Sequence, residues 1–115
     1  MRKTLVMVII AGTIAVIASC SKGGGGGSSV DCSMIPKSFM VDVNPIVQSF
    51  CNVAGCHATG SSNGPGAITN YTQVSANKTS IRAAISSGLM PKGGGLSTSQ
   101  KNSFICWIDS GAPNN

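Results

Sequence analysis

Asn44-Pro45-Ile46-Val47-Gln48-Ser49-Phe50-Cys51-Asn52-Val53-Ala54-Gly55-Cys56-His57 is the stretch on which both fold and chemistry turn. Asn followed by Pro is a helix start: a short polar side chain for the free N–H groups, then a ring whose fixed φ suits the first helical position. Ile46, Val47 and Phe50 share one face at helical spacing, so the expected helix runs from about residue 45 to 51 and ends on Cys51. Cys56 and His57, the one histidine in the chain, follow within six residues. Gly55 before them permits a turn that other residues enter only with strain.

The flanks point to a small all-α domain with long connections. Residues 52–69 are rich in Gly, Ser, Asn and Thr and read as a loop. Tyr71 and Val74 indicate a short helix. Asn77 is placed to cap a second, with Ile81, Ala84 and Ile85 on one stripe and Gly88 as its stop. Met90-Pro91-Lys92-Gly93-Gly94-Gly95 reads as extended loop, because proline pushes the preceding residue out of the helical region. Ser97-Thr98-Ser99-Gln100 is a capping box opening a helix with Phe104, Trp107 and Ile108 on one side, ended by Gly111 and Pro113. No segment shows the alternation of a strand.

Composition narrows the function. The chain has 115 residues, five cysteines, three acids (all Asp) and a formal charge of +5. Two of the eight basic residues lie at Arg2 and Lys3, so from residue 20 onward six basic residues face three acids, a balance of +3 without blocks of like charge. That pattern excludes nucleic acid as the main partner. Three carboxylates leave little room for paired acid–base catalysis, and a Ser-His-Asp triad would need His57. From residue 21 onward 34 of 95 residues are hydrophobic, about 36%, a modest supply for a packed core. Domains this small often need disulfides, a metal or a cofactor.

The hydrophobicity of the N-terminus belongs to a leader. Arg2 and Lys3 precede the apolar run Leu5–Ile17, too short for a comfortable membrane span, and Ala18-Ser19-Cys20 follows. Ile17-Ala18-Ser19-Cys20 resembles the bacterial lipobox, which implies a signal peptide over 1–19 and acylation of Cys20. It also implies a lipid anchor in the cell envelope, facing a periplasmic or surface compartment that is oxidising. An ordinary signal peptide with a chance cysteine is the plainer alternative. The tract Ser21-Lys22-Gly23-Gly24-Gly25-Gly26-Gly27-Ser28-Ser29 has nothing to bury and reads as tether. Residues 20–30 are thus anchor and tether, and 31–115 the folded domain.

A C-x-x-C-H sequence marks covalent haem attachment, two thiols adding to haem vinyl groups and the histidine ligating iron. Here the spacing is C-x4-C-H. On a helix, cysteines five apart point about 140° from one another, against about 60° for three apart, so both thiols reach one haem edge only if residues 52–55 bulge outward. With Pro45-Ile46-Val47, Gly55-Cys56-His57, Asn70-Tyr71-Thr72-Gln73-Val74, Gly88-Leu89-Met90-Pro91 and Trp107-Ile108-Asp109-Ser110-Gly111-Ala112-Pro113-Asn114-Asn115, the chain resembles the c-type cytochromes, in particular an envelope lipoprotein branch with the longer spacing. The resemblance implies a small cytochrome c-like domain of short helices around one haem c. Cys51 and Cys56 would be the thioether residues, His57 the proximal iron ligand and Met90 the distal one. The implied role is a monomeric carrier of single electrons (Fe(III)/Fe(II)) between redox partner proteins of the envelope, with no catalysed reaction.

Each of these residues has a plainer reading. A lone histidine is usually a surface or satisfied side chain, and Met34, Met40 and Met90 are most simply packing residues. Phe50, Tyr71, Phe104 and Trp107 read as core or haem wall rather than an electron path. If the haem takes Cys51 and Cys56 and Cys20 is acylated, Cys32 and Cys106 are left to form a disulfide; without haem, four cysteines allow three pairings. Two other functions fit the same residues. One is a disulfide-stapled envelope module that binds or supports without haem; the other is a zinc site from Cys51, Cys56, His57 and a further cysteine, disfavoured because adjacent residues rarely both reach one tetrahedral ion.

Overall fold

The computed structural model describes residues 29–115. The expected signal peptide and the anchor residue Cys20 lie outside the described residues, as does most of the tether. Four helical segments follow one another: α1 (Phe39–Cys51), α2 (Tyr71–Ala76), α3 (Lys78–Ser86) and α4 (Thr98–Asp109). Among the described residues there is no strand, so the all-α class holds.

α1 begins six residues before the expected start. Ser38 and Asp42 form a reciprocal cap: Val41 N–H donates to Ser38 Oγ (3.3 Å) and Ser38 N–H to the Asp42 carboxylate (2.7 Å). Asn115 completes it, its side-chain oxygen accepting from Phe39 N–H (2.9 Å) and its carbonyl from Met40 N–H (2.8 Å). Asn44-Pro45 therefore sits inside the helix. Pro45 cannot donate to the ladder, and its ring crowds the preceding turn. The helix accommodates it by widening, with π turns over Phe39–Val43 and Val47–Cys51 on either side of the α turn Asn44–Ile46. Phe39, Val43, Ile46 and Val47 remain on one buried face.

Asn77 is a second departure from the sequence reading. Its side chain does not cap α3. Its Nδ2 donates to the Gln73 carbonyl (2.9 Å) and closes α2 instead, because one residue alone separates the two helices. The Ser97–Gln100 capping box at α4 forms as expected, with both reciprocal bonds made (3.1 and 2.9 Å).

α4 is the centre of the domain. Its residues from Ser103 to Ile108 are all buried, enclosed by α1, α3 and the N-terminal segment. Trp107 meets Phe39, Tyr71 and Phe104 at ring-centroid distances of 5.4, 6.4 and 6.0 Å; of the four aromatics read as core or haem wall, Phe104 and Trp107 are core, and Tyr71 and Phe50 are partly buried against it. The polar ends are satisfied: Trp107 Nε1 donates to the Pro113 carbonyl (2.8 Å) and the Tyr71 hydroxyl to that of Ala112 (3.0 Å). Cys106, fully buried, is disulfide-bonded to Cys32. That bond ties the incoming segment to the last helix across 74 residues of sequence, and closing a loop of that size removes about 4 kcal/mol of unfolded-chain entropy.

Candidate functional site

α1 carries Cys51 to its last position, and the chain then folds back on itself. The Cys51 carbonyl accepts from Val53 N–H (2.8 Å) and from His57 N–H (3.1 Å), and Cys56 N–H donates to the Val53 carbonyl (2.9 Å). Gly55 closes the turn with φ +81°, and a side chain there would meet nothing within 4 Å, so glycine is required by the backbone and not by space. The bulge between the two cysteines, on which the longer spacing depends, is therefore present. Both thiols are free, Cys51 half-buried and Cys56 exposed. Burial, reinforced by the neighbouring Cys56, pushes the Cys51 thiol up to about 11, so it is protonated at neutral pH.

His57 is 7% exposed, and its two ring nitrogens differ. Nδ1 lies 2.8 Å from the Gly66 carbonyl, an acceptor, so Nδ1 carries the proton of that bond. Nε2 has no hydrogen bond among the described residues and is not completely enclosed. A second bond, from Ile68 N–H to the His57 carbonyl (2.8 Å), pins the backbone, and Ile68 anchors that end of the loop in the core.

Between His57 and Ile68 the chain is held by polar contacts. Asn63 Nδ2 donates to the Gly55 and Cys56 carbonyls (both 2.9 Å), and Ser61 Oγ donates to the Cys56 carbonyl. Asn63 N–H turns back onto Ser61 Oγ (3.2 Å), and the Asn63 carbonyl accepts from Gly66 N–H. By sequence alone this segment is plain loop. Its composition announces turns, but the acceptors are carbonyls of irregular backbone that no periodicity marks.

No family model, curated protein or solved structure matches this chain.

Met90 follows α3 in a separate loop, its side chain partly buried and its N–H donating to the Ala84 carbonyl (3.1 Å). The Met90–Pro91 peptide is cis. The glycines after it let the chain pass close to α1: at Gly95 (φ +118°) a Cβ would stand 3.3 Å from the Phe50 ring, next to Cys51. The Met90 loop and the Cys51 end of α1 are thus in contact through Gly95 and Phe50. Cys32 and Cys106 are paired with each other, and Cys51 and Cys56 are free. Among the described residues no group of three His, Cys, Asp or Glu side chains converges as a metal site, which leaves the zinc reading without a ligand set. A cleft of about 310 Å³ between α1 and the start of α4, lined in part by Asp42, Pro45 and Ser103, includes none of Cys51, Cys56, His57 or Met90.

Proposed function

We propose that the domain is a mono-haem c-type electron carrier, with Cys51 and Cys56 as thioether residues, His57 as proximal ligand and Met90 as distal ligand. One observation carries the reading: in the segment that holds the two free thiols, His57 has Nδ1 bound to a backbone carbonyl and Nε2 without a hydrogen bond. An iron-ligating histidine uses one nitrogen and has the other fixed by an acceptor that orients the ring and raises its basicity. Haem, when bound, would supply reversible single-electron storage as Fe(III)/Fe(II).

The chain's own residues do the rest. The Gly66 carbonyl keeps the Nδ1 proton in place and Nε2 available. Cys51 and Cys56 would hold the ring covalently. Met90 would supply a thioether donor to the iron, a ligand type that favours the ferrous state and raises the potential. With Cys20 acylated, the Gly/Ser tether would hold the domain at an envelope membrane within reach of redox partner proteins. Among the described residues no helix is long and apolar enough to cross a membrane.

Full-length protein co-expressed with haem-attachment machinery and exported to the periplasm should show Soret and α bands, stain for haem on a denaturing gel and gain the mass of one haem. Colourless protein with a second disulfide, Cys51–Cys56, would replace the reading with the stapled envelope module. In coloured protein, Met90→Ala should abolish the sulfur–iron charge-transfer band, and an unaltered band would remove Met90 from the site.

A further inference from the structure

We infer that Asn63 is a positioning residue that holds the long C-x4-C-H turn in the form needed for haem attachment, an inference that rests on the haem reading. The two residues this spacing adds must be looped out, and the looped backbone leaves carbonyls pointing away from the helix with no ladder to bond them. The Asn63 side chain reaches back and donates to the carbonyls of Gly55 and Cys56, the last two residues before His57. Two carbonyl acceptors leave the amide nitrogen as the one end of the side chain that fits there. The Asn63 backbone carbonyl accepts from Gly66 N–H, and Gly66 in turn holds Nδ1 of His57. One exposed residue therefore joins the Cys56 turn to the carbonyl that orients the ligand histidine. Neither link passes through the core.

Asn63→Ala removes both side-chain donors, and Asn63→Asp removes them at constant shape. In haem-free protein, amide exchange at Cys56 and His57 should quicken about tenfold in both variants, with Phe104–Ile108 in α4 unchanged. In haem-attached protein the loss should fall on the Cys56 thioether, lowering the doubly attached fraction about tenfold and leaving haem on Cys51 alone, as read by peptide mass spectrometry. Deleting Val53 and Ala54 restores the C-x-x-C-H spacing, and in that background Asn63→Ala should leave attachment unchanged. Unchanged exchange at Cys56 and His57 in Asn63→Ala would overturn the inference, as would equal loss of both thioethers or an equal loss in the shortened turn. Wild-type protein that takes no haem overturns the reading of function, while the exchange measurement still decides whether Asn63 holds the turn.

Discussion

The helical half of the domain and its loops are held by different forces. Around α4, stability comes from burial: Trp107, Phe104, Val43, Val47 and Val74 are fully enclosed, and a disulfide crosses the same core. From residue 52 to 66 there is no buried hydrophobic residue, and backbone and side-chain hydrogen bonds with three positive-φ glycines set the path. Removing an apolar contact leaves a void that weakens the whole cooperative unit, whereas removing a loop hydrogen bond releases a local segment. Fold and candidate site are therefore separable by mutation.

The sharpest way to test the contrast is the core. Trp107→Ala empties the centre of the aromatic cluster and leaves the Pro113 carbonyl without its donor, and should cost about 5 kcal/mol in denaturant unfolding. Replacing Cys32 and Cys106 together by Ala should cost up to about 4 kcal/mol in the same measurement. A change below 1 kcal/mol in either would show that the core does not carry the fold. His57→Ala, by contrast, should abolish haem ligation while costing about 1–2 kcal/mol, since the ring's one internal bond is to Gly66.

The thiols give a subtler break. A Cys51 thiol raised to about 11 has about a hundredfold less thiolate near neutral pH than one at 9, partly offset by its greater nucleophilicity. In haem-free native protein at pH 8, iodoacetamide should label exposed Cys56 about tenfold faster than Cys51, and unfolding should equalise the rates. Equal native rates would place Cys51 in solvent.

The smallest effect belongs to the α3–α4 ion pair. Arg82 holds the Asp109 carboxyl below the usual range, chiefly through its side-chain hydrogen bonds, but both side chains are more than a third exposed. Because the folded pKa is depressed, the contribution is present above the unfolded value near 4 and is lost as pH falls through the folded one. Arg82→Ala should cost less than about 0.5 kcal/mol at pH 7, and less still as acid protonates Asp109.

Legibility followed the same division. The box opening α4 was plain because its donors and acceptors lie three residues apart, and the stripes of α1 and α3 show at helical spacing. The start of α1 was misplaced because Asn44-Pro45 is a strong local signal, yet Asn115, more than seventy positions away, completes the earlier cap at Ser38. Asn77 looked like a cap by type, and the neighbouring helix took its side chain. At the candidate site, Cys51, Cys56, His57 and Met90 stood out by residue type and spacing. Asn63 and Gly66 did not, since their role lies in which carbonyls they meet.

Residue order alone therefore settled the helical class and the place of the loops, both of which depend on spacings of a few residues. The pairing of Cys32 with Cys106, the free state of Cys51 and Cys56, the bond from His57 Nδ1 to the Gly66 carbonyl and the grip of Asn63 were decided by the folded chain. Each is a contact between groups whose separation in space is set by packing or by irregular backbone, and neither has a period that a linear pattern can carry.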